Sequence, residues 1–240
     1  MTALLEDIKV EPAAVALGAR IAGVDLGRAD AALVAHLRSL LLQHHVLVIA
    51  GQSLSPAELV RFGERWGELL THPAGAHRDE PYVQRIAHNG SGGRRLGAWH
   101  SDMTWHPTPP AITILHARTL PPFGGDTLYA NQHLAYETLD EAGKAKWRQL
   151  PTVSRIDELR ANHTGKSFGP QVPDSTHPIV RTHDETHRRA LYVNPEFTTN
   201  VVDMDERESK LLLNALCAHA VSPEFCYRHA WTVGDVLVWD

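Results

Sequence analysis

The chain of 240 residues is 43% hydrophobic and 21% charged, enough apolar material for a sizeable core in one large domain or two small ones. A net charge of −5 with no basic tract argues against nucleic acid or a membrane surface as partner. The apolar runs are too short to span a bilayer, no basic stretch followed by an apolar core opens the chain, and Cys217 and Cys226 make neither a disulfide framework nor metal-ligand spacing, so a soluble cytoplasmic protein is expected.

In chain order, residues 31–43 predict a helix, with Asp30 as N-cap and Leu33, Leu37, Leu40 and Leu41 at helical spacing. Residues 45–50 read as a strand. Ser55-Pro56-Ala57-Glu58 is a capping box with proline at the first helical position, opening a helix through Leu59 and Phe62. Strands are expected at 111–117 and 127–130, a helix at 138–150 and a strand at 190–194. A helix opens at Asp205, and a last strand lies at 236–239 after the Gly234-Asp235 turn. Strands and helices do not alternate regularly, so an antiparallel β core decorated by helices fits better than a doubly wound sheet.

The count that stands out is 16 histidines. Histidine binds metals and carries protons near neutral pH, and a His-x-Asp/Glu pair is the local half of the two-histidine, one-carboxylate site of non-haem iron. On an extended segment residues i and i+2 share a side. The pattern alone says little, because the composition supplies about two such pairs by chance. Three occur: His77-x-Asp79, His100-x-Asp102 and His183-x-Glu185. The first lies in a charged stretch and the third reads as a polar hairpin turn between apolar segments. Only His100-x-Asp102 has context for a metal pocket, with Trp99, Met103 and Trp105 as apolar flank and Pro109-Pro110 closing the loop. His183 and His187 lack the glutamate that a zinc-protease helix places directly after its first histidine.

The segment Trp99-His100-Ser101-Asp102-Met103-Thr104-Trp105, then Thr108-Pro109-Pro110 and Gly124-Gly125-Asp126-Thr127-Leu128-Tyr129, resembles the taurine dioxygenase family of Fe(II)- and 2-oxoglutarate-dependent oxygenases. Agreement continues at 18–26 (GARIAGVDL), 62–72, 177–183 (HPIVRTH), 191–199 (LYVNPEFTT) and 231–240. The resemblance implies a mainly β fold with helices: a double-stranded β-helix (jelly roll, cupin-like) with flanking helices, forming a single dioxygenase domain over residues 1–240. By position His100 and Asp102 fall on two iron ligands, and Thr127 on the threonine that bonds the distal carboxylate of 2-oxoglutarate. His72 falls on a substrate-anion contact, Met103 on a main-chain contact, and Trp105 and Phe197 on aromatic pocket positions. Fe(II), 2-oxoglutarate, O2 and a small anionic substrate are the implied reactants, and a homo-oligomer is compatible with all of this.

Two departures shape the expectation. Gly75 and Leu96 stand where taurine dioxygenase has a tyrosine and an asparagine that help to bind taurine, which implies a larger, less polar pocket suited to another sulfonate, a sulfate ester or an aryloxyalkanoate. The family's third iron ligand and its 2-oxoglutarate arginine come after a Trp-Asp pair, and here Trp239-Asp240 are the last residues. The resemblance therefore implies a chain lacking its C-terminal segment, with poor turnover in this form. The alternatives are an inactive fragment or non-enzymatic anion binder of the same fold, and a metal hydrolase drawing a third ligand from His163, His177, His219 or His229.

Overall fold

The computed structural model describes residues 8–71, 80–86, 97–148, 150–154 and 174–240. It divides into two compact units, each discontinuous in sequence: Met1–Ile86 with Ala111–Tyr129 and Cys226–Asp240, and Ala87–Pro110 with Ala130–Phe225.

The first unit is built on a five-stranded sheet of β1 (Lys9–Pro12), β2 (Ala19–Ala22), β3 (Val46–Ile49), β12 (Val236–Trp239) and β4 (Thr113–His116), in that spatial order. Only β2 and β3 run parallel. Both central strands are apolar without alternation, as strands covered on both faces must be. Leu47, Ile49, Val236 and Val238 point into one cluster, with Leu33, Val34, Leu37, Leu40 and Leu41 of helix α1 (Ala31–His44). Val46, Val48 and Leu237 point the other way, toward Tyr227 of β11 (Cys226–His229). Strand β11 in turn pairs with β5 (Thr127–Ala130).

The start of β3 corrects the expected boundary. His45 is not in the strand. It adopts a left-handed conformation (φ 66°) and caps α1, its N–H bonded to the Leu41 carbonyl, which turns the chain straight into Val46. Helix α2 (Pro56–Glu64) has the expected capping box, with Glu58 N–H bonded to the Ser55 hydroxyl and Ser55 N–H to the Glu58 carboxylate.

The second unit holds an antiparallel sheet in the order β10 (Thr198–Val201), β6 (Pro151–Ser154), β7 (Ser175–Pro178), and a hairpin of β8 (Val180–Thr182) with β9 (Arg189–Leu191). His183 to Glu185 lie in the hairpin's turn, as their polarity implied. The helix expected over 138–150 is α4 (Glu141–Trp147), preceded by a separate α3 (Gln132–Glu137). Two caps make the break: the Asn131 carboxamide accepts from His133 and Leu134 N–H, and the Asp140 carboxylate from Gly143 N–H. Helix α5 (Glu206–Ala220) buries Leu213 and Leu216 against Ile179, Leu191 and Val201. The strand expected at 190–194 ends at Leu191.

In the first unit His229 is fully buried between the Tyr227 hydroxyl (2.9 Å) and the Asp235 carboxylate (3.0 Å). Burial is the main influence on its ring and holds its pKa below the ordinary value, against an upward pull from Asp235. The neutral ring is therefore the folded form. Because the folded pKa is the lower one, its contribution to stability is complete above the unfolded value of about 6.5 and drains away as pH falls from there toward the folded value. The urea midpoint is expected to drop on acidification through that window, with a shallower drop in His229→Gln. An identical pH profile in that variant would remove His229 as a source of acid sensitivity.

Candidate active site

His100 and Asp102 lie on a loop of the second unit, within residues 97–110, and not on a strand. His100 Nδ1 lies 3.0 Å from the Ala98 carbonyl oxygen, to which it donates. That bond leaves Nε2 to face Asp102, 3.4 Å from Oδ1. The side chains are 41% and 31% exposed, so an ion from solvent can reach them. The hydrogen bond to Asp102 is the main influence on the His100 ring and raises its pKa, against an opposing effect of burial. An imidazole nitrogen directed at a carboxylate oxygen is a donor set that suits a divalent cation.

The residues after Asp102 shape the wall of the site. Met103 takes a left-handed conformation (φ 52°), uncommon for a residue with a Cβ, and the His106 N–H closes the turn onto the Met103 carbonyl at 2.7 Å. The turn buries Met103 and Trp105, and Phe197 packs against both. The Phe197 ring meets His100 edge-on, with centroids 6.1 Å apart. Five expected site residues are thus gathered in one unit: His100, Asp102, Met103, Trp105 and Phe197.

Buried polar groups that the sequence pattern does not connect to it hold this loop. The Asn194 carboxamide donates to the Thr104 hydroxyl at 3.1 Å and accepts from Phe197 N–H at 2.8 Å. The Ser175 hydroxyl donates to the Trp105 carbonyl at 2.7 Å, and His177 Nε2 to the His106 carbonyl at 3.1 Å. Burial is the main influence on His177 and lowers its pKa, consistent with a neutral ring giving one N–H to that carbonyl. Asn194 and His177 sit inside matched segments, and an asparagine three residues before Phe197 is a local cue for a side chain that bonds its own backbone. The distant half of each bond leaves no such mark.

Thr127 belongs to the first unit. Its hydroxyl oxygen accepts from Trp231 Nε1 at 2.9 Å, while Asp126 beside it pairs with Arg228 at 3.3 Å. His72, Gly75, Leu96 and His163 lie outside the described residues, as does the His77-x-Asp79 pair. The other three histidines considered as further ligands are engaged by protein: His177 with the His106 carbonyl, His219 with the Ala135 carbonyl at 2.8 Å, and His229 with Tyr227 and Asp235. Among the described residues no group of three His, Cys, Asp or Glu side chains is placed to hold a metal, so the hydrolase alternative gains no third ligand from them.

The model of the taurine catabolism dioxygenase TauD, TfdA family matches residues 9–240. An alkylsulfatase of Acinetobacter baylyi is 31% identical over 238 residues, 93% of this chain and 74% of that protein. An alpha-ketoglutarate-dependent sulfate ester dioxygenase of Pseudomonas putida is 30% identical over 248 residues, 98% of this chain and 81% of that protein. Among solved structures, a taurine dioxygenase from Burkholderia xenovorans superposes with a TM-score of 0.85 at 36% identity, covering 98% of this chain and 81% of the other. The mainly β fold with flanking helices is that of these dioxygenases.

Replacing Asn194 by alanine strands the buried Thr104 hydroxyl and the Phe197 N–H. The expected loss is about 1–3 kcal/mol of unfolding free energy by urea titration, and less than additive when combined with Thr104→Val. Full additivity would show that the two side chains do not act through one bond.

Proposed function

Because this chain belongs to the TauD/TfdA family of 2-oxoglutarate-dependent dioxygenases, we propose that His100 and Asp102 hold its iron and that it hydroxylates a small organic anion at a carbon near the charged group. The observation that carries the assignment is the 3.4 Å approach of His100 Nε2 to Asp102 Oδ1 on a pinned, solvent-accessible loop. Iron(II) bound there supplies the redox chemistry: 2-oxoglutarate and O2 become succinate and CO2, one oxygen atom passes to succinate and the other to the substrate C–H.

The chain's own residues bind, orient and exclude water. The Ala98 carbonyl accepts from His100 Nδ1–H, so that Nε2 is the nitrogen that would ligate iron once it gives up the proton it shares with Asp102. Met103, Trp105 and Phe197 form an apolar wall beside the ligands. Thr127 offers a hydroxyl to the distal carboxylate of 2-oxoglutarate, and His72 a donor to the substrate's anionic head. With Gly75 and Leu96 in place of two polar groups, the favoured substrate is bulkier and more apolar than taurine: an alkyl or aryl sulfonate, a sulfate ester or an aryloxy acid. The relatives named for alkylsulfatase and sulfate ester activity support the sulfate ester class. A net charge of −5 means that such an anion is attracted by local donors and not by the overall field. Work in the cytoplasm fits two cysteines kept as thiols, and among the described residues no helix is long and apolar enough to cross a membrane.

Asp102→Ala deletes the anionic ligand and is expected to abolish both Fe(II) binding and substrate-dependent succinate release. Undiminished succinate release would overturn the iron assignment. In a panel of organic anions scored by 2-oxoglutarate consumption, sulfate esters, apolar sulfonates and aryloxy acids are expected to exceed taurine. A clear preference for taurine, or turnover of neutral or cationic substrates alone, would overturn the substrate reading.

A further inference from the structure

We infer that Trp231 is a positioning residue for 2-oxoglutarate: its indole N–H occupies the Thr127 oxygen and so commits the Thr127 hydroxyl hydrogen to an incoming carboxylate. This rests on the proposed role of Thr127 and adds the residue that sets the direction of its hydrogen bond.

An indole nitrogen donates and cannot accept, whereas a hydroxyl carries one hydrogen and can do both. At 2.9 Å between Trp231 Nε1 and Thr127 Oγ1, the polarity has one solution: tryptophan donates and threonine accepts. The hydroxyl hydrogen cannot lie along that line, and among the described residues it has no acceptor. Thr127 is thus a half-buried hydroxyl with one side filled by a donor and a hydrogen left over. A carboxylate, which only accepts, meets that need, and a hydroxyl already accepting one bond is a better donor for the next.

The indole is itself held. Its ring meets the His229 ring edge-on, with centroids 4.7 Å apart and planes at 84°. His229 is fixed in turn by the Tyr227 hydroxyl and the Asp235 carboxylate, and Asp235 also accepts from Thr232 N–H at 2.9 Å, one residue past Trp231. A buried polar chain therefore fixes the ring that orients Thr127, so the donor is in place before the cosubstrate arrives and costs little ordering on binding. None of these groups needs to touch 2-oxoglutarate.

The test is the affinity of the Mn(II)-loaded protein for 2-oxoglutarate by calorimetry, which needs no turnover. Oxalate, which offers a metal chelate with no distal carboxylate, serves as control. Thr127→Val is expected to raise the dissociation constant for 2-oxoglutarate about tenfold and Trp231→Phe about threefold to tenfold, with the double variant no worse than Thr127→Val alone. Oxalate affinity should stay within about twofold in all three, because only the distal carboxylate meets the threonine. Trp231→His, which keeps a ring N–H, is expected to retain most of the affinity and serves if the phenylalanine variant does not fold. Weakening by Thr127→Val with an unchanged Trp231→Phe would overturn the inference and leave the Thr127 reading standing. An unchanged Thr127→Val, or no binding of 2-oxoglutarate by the unmutated protein, would overturn both. Equal loss of oxalate affinity in Trp231→Phe would show general damage to the site and overturn the positioning role.

Discussion

A carboxylate buried at the entrance to β12 constrains much of the first unit. Asp235 is 3% exposed, and a charge withdrawn from water that far is tolerated only with partners. It accepts from His229 Nε2 and from Thr232 N–H, while its own backbone bonds to Ala117 and thereby aligns β12 with the end of β4. The histidine it holds then needs a donor at its other nitrogen, which the Tyr227 hydroxyl supplies. Each group answers the bonding need of the one before, and the sequence of answers reaches Trp231 and Thr127.

The second unit uses the same physics around the loop that carries His100 and Asp102. A loop cannot draw stability from a ladder of backbone bonds, so its geometry must come from side chains reaching in from elements that have one. Ser175 and His177 belong to β7, and Asn194 stands at the turn before β10. Together they bond three successive residues, Thr104, Trp105 and His106. That anchoring stabilises a left-handed Met103, a conformation that costs about 1–3 kcal/mol in a residue with a side chain. The strained residue comes directly after Asp102, where a rigid bend aims the carboxylate at His100.

These arrangements suit a site whose hardest chemistry belongs to a metal and a cosubstrate. The protein's part is to present donors that are already oriented and to keep apolar surface where water is unwelcome. Phe197 illustrates the economy: its backbone N–H is bonded to Asn194 while its ring lies against His100 and the Met103–Trp105 wall. One turn thus ties this apolar wall to the loop that carries His100 and Asp102.

By itself the sequence determined what depends on near neighbours in the chain. The Ser55 capping box, the α1 register, the apolar strand runs at 45–50 and 236–239 and the His183 turn are all written in local patterns, because caps and periodicities involve residues a few positions apart. The His100-x-Asp102 pair could be singled out for the same reason, its aromatic flank setting it apart from the other two pairs. Only the tertiary structure decided the rest. It placed Asn194 against Thr104, Ser175 against Trp105 and Trp231 against Thr127, across separations of 90, 70 and 104 residues. It also divided residues 132–147 into two helices and ended α1 with a left-handed His45. Such pairings leave no spacing to read, since a hydroxyl or an amide acquires its role from the group that folding brings to it.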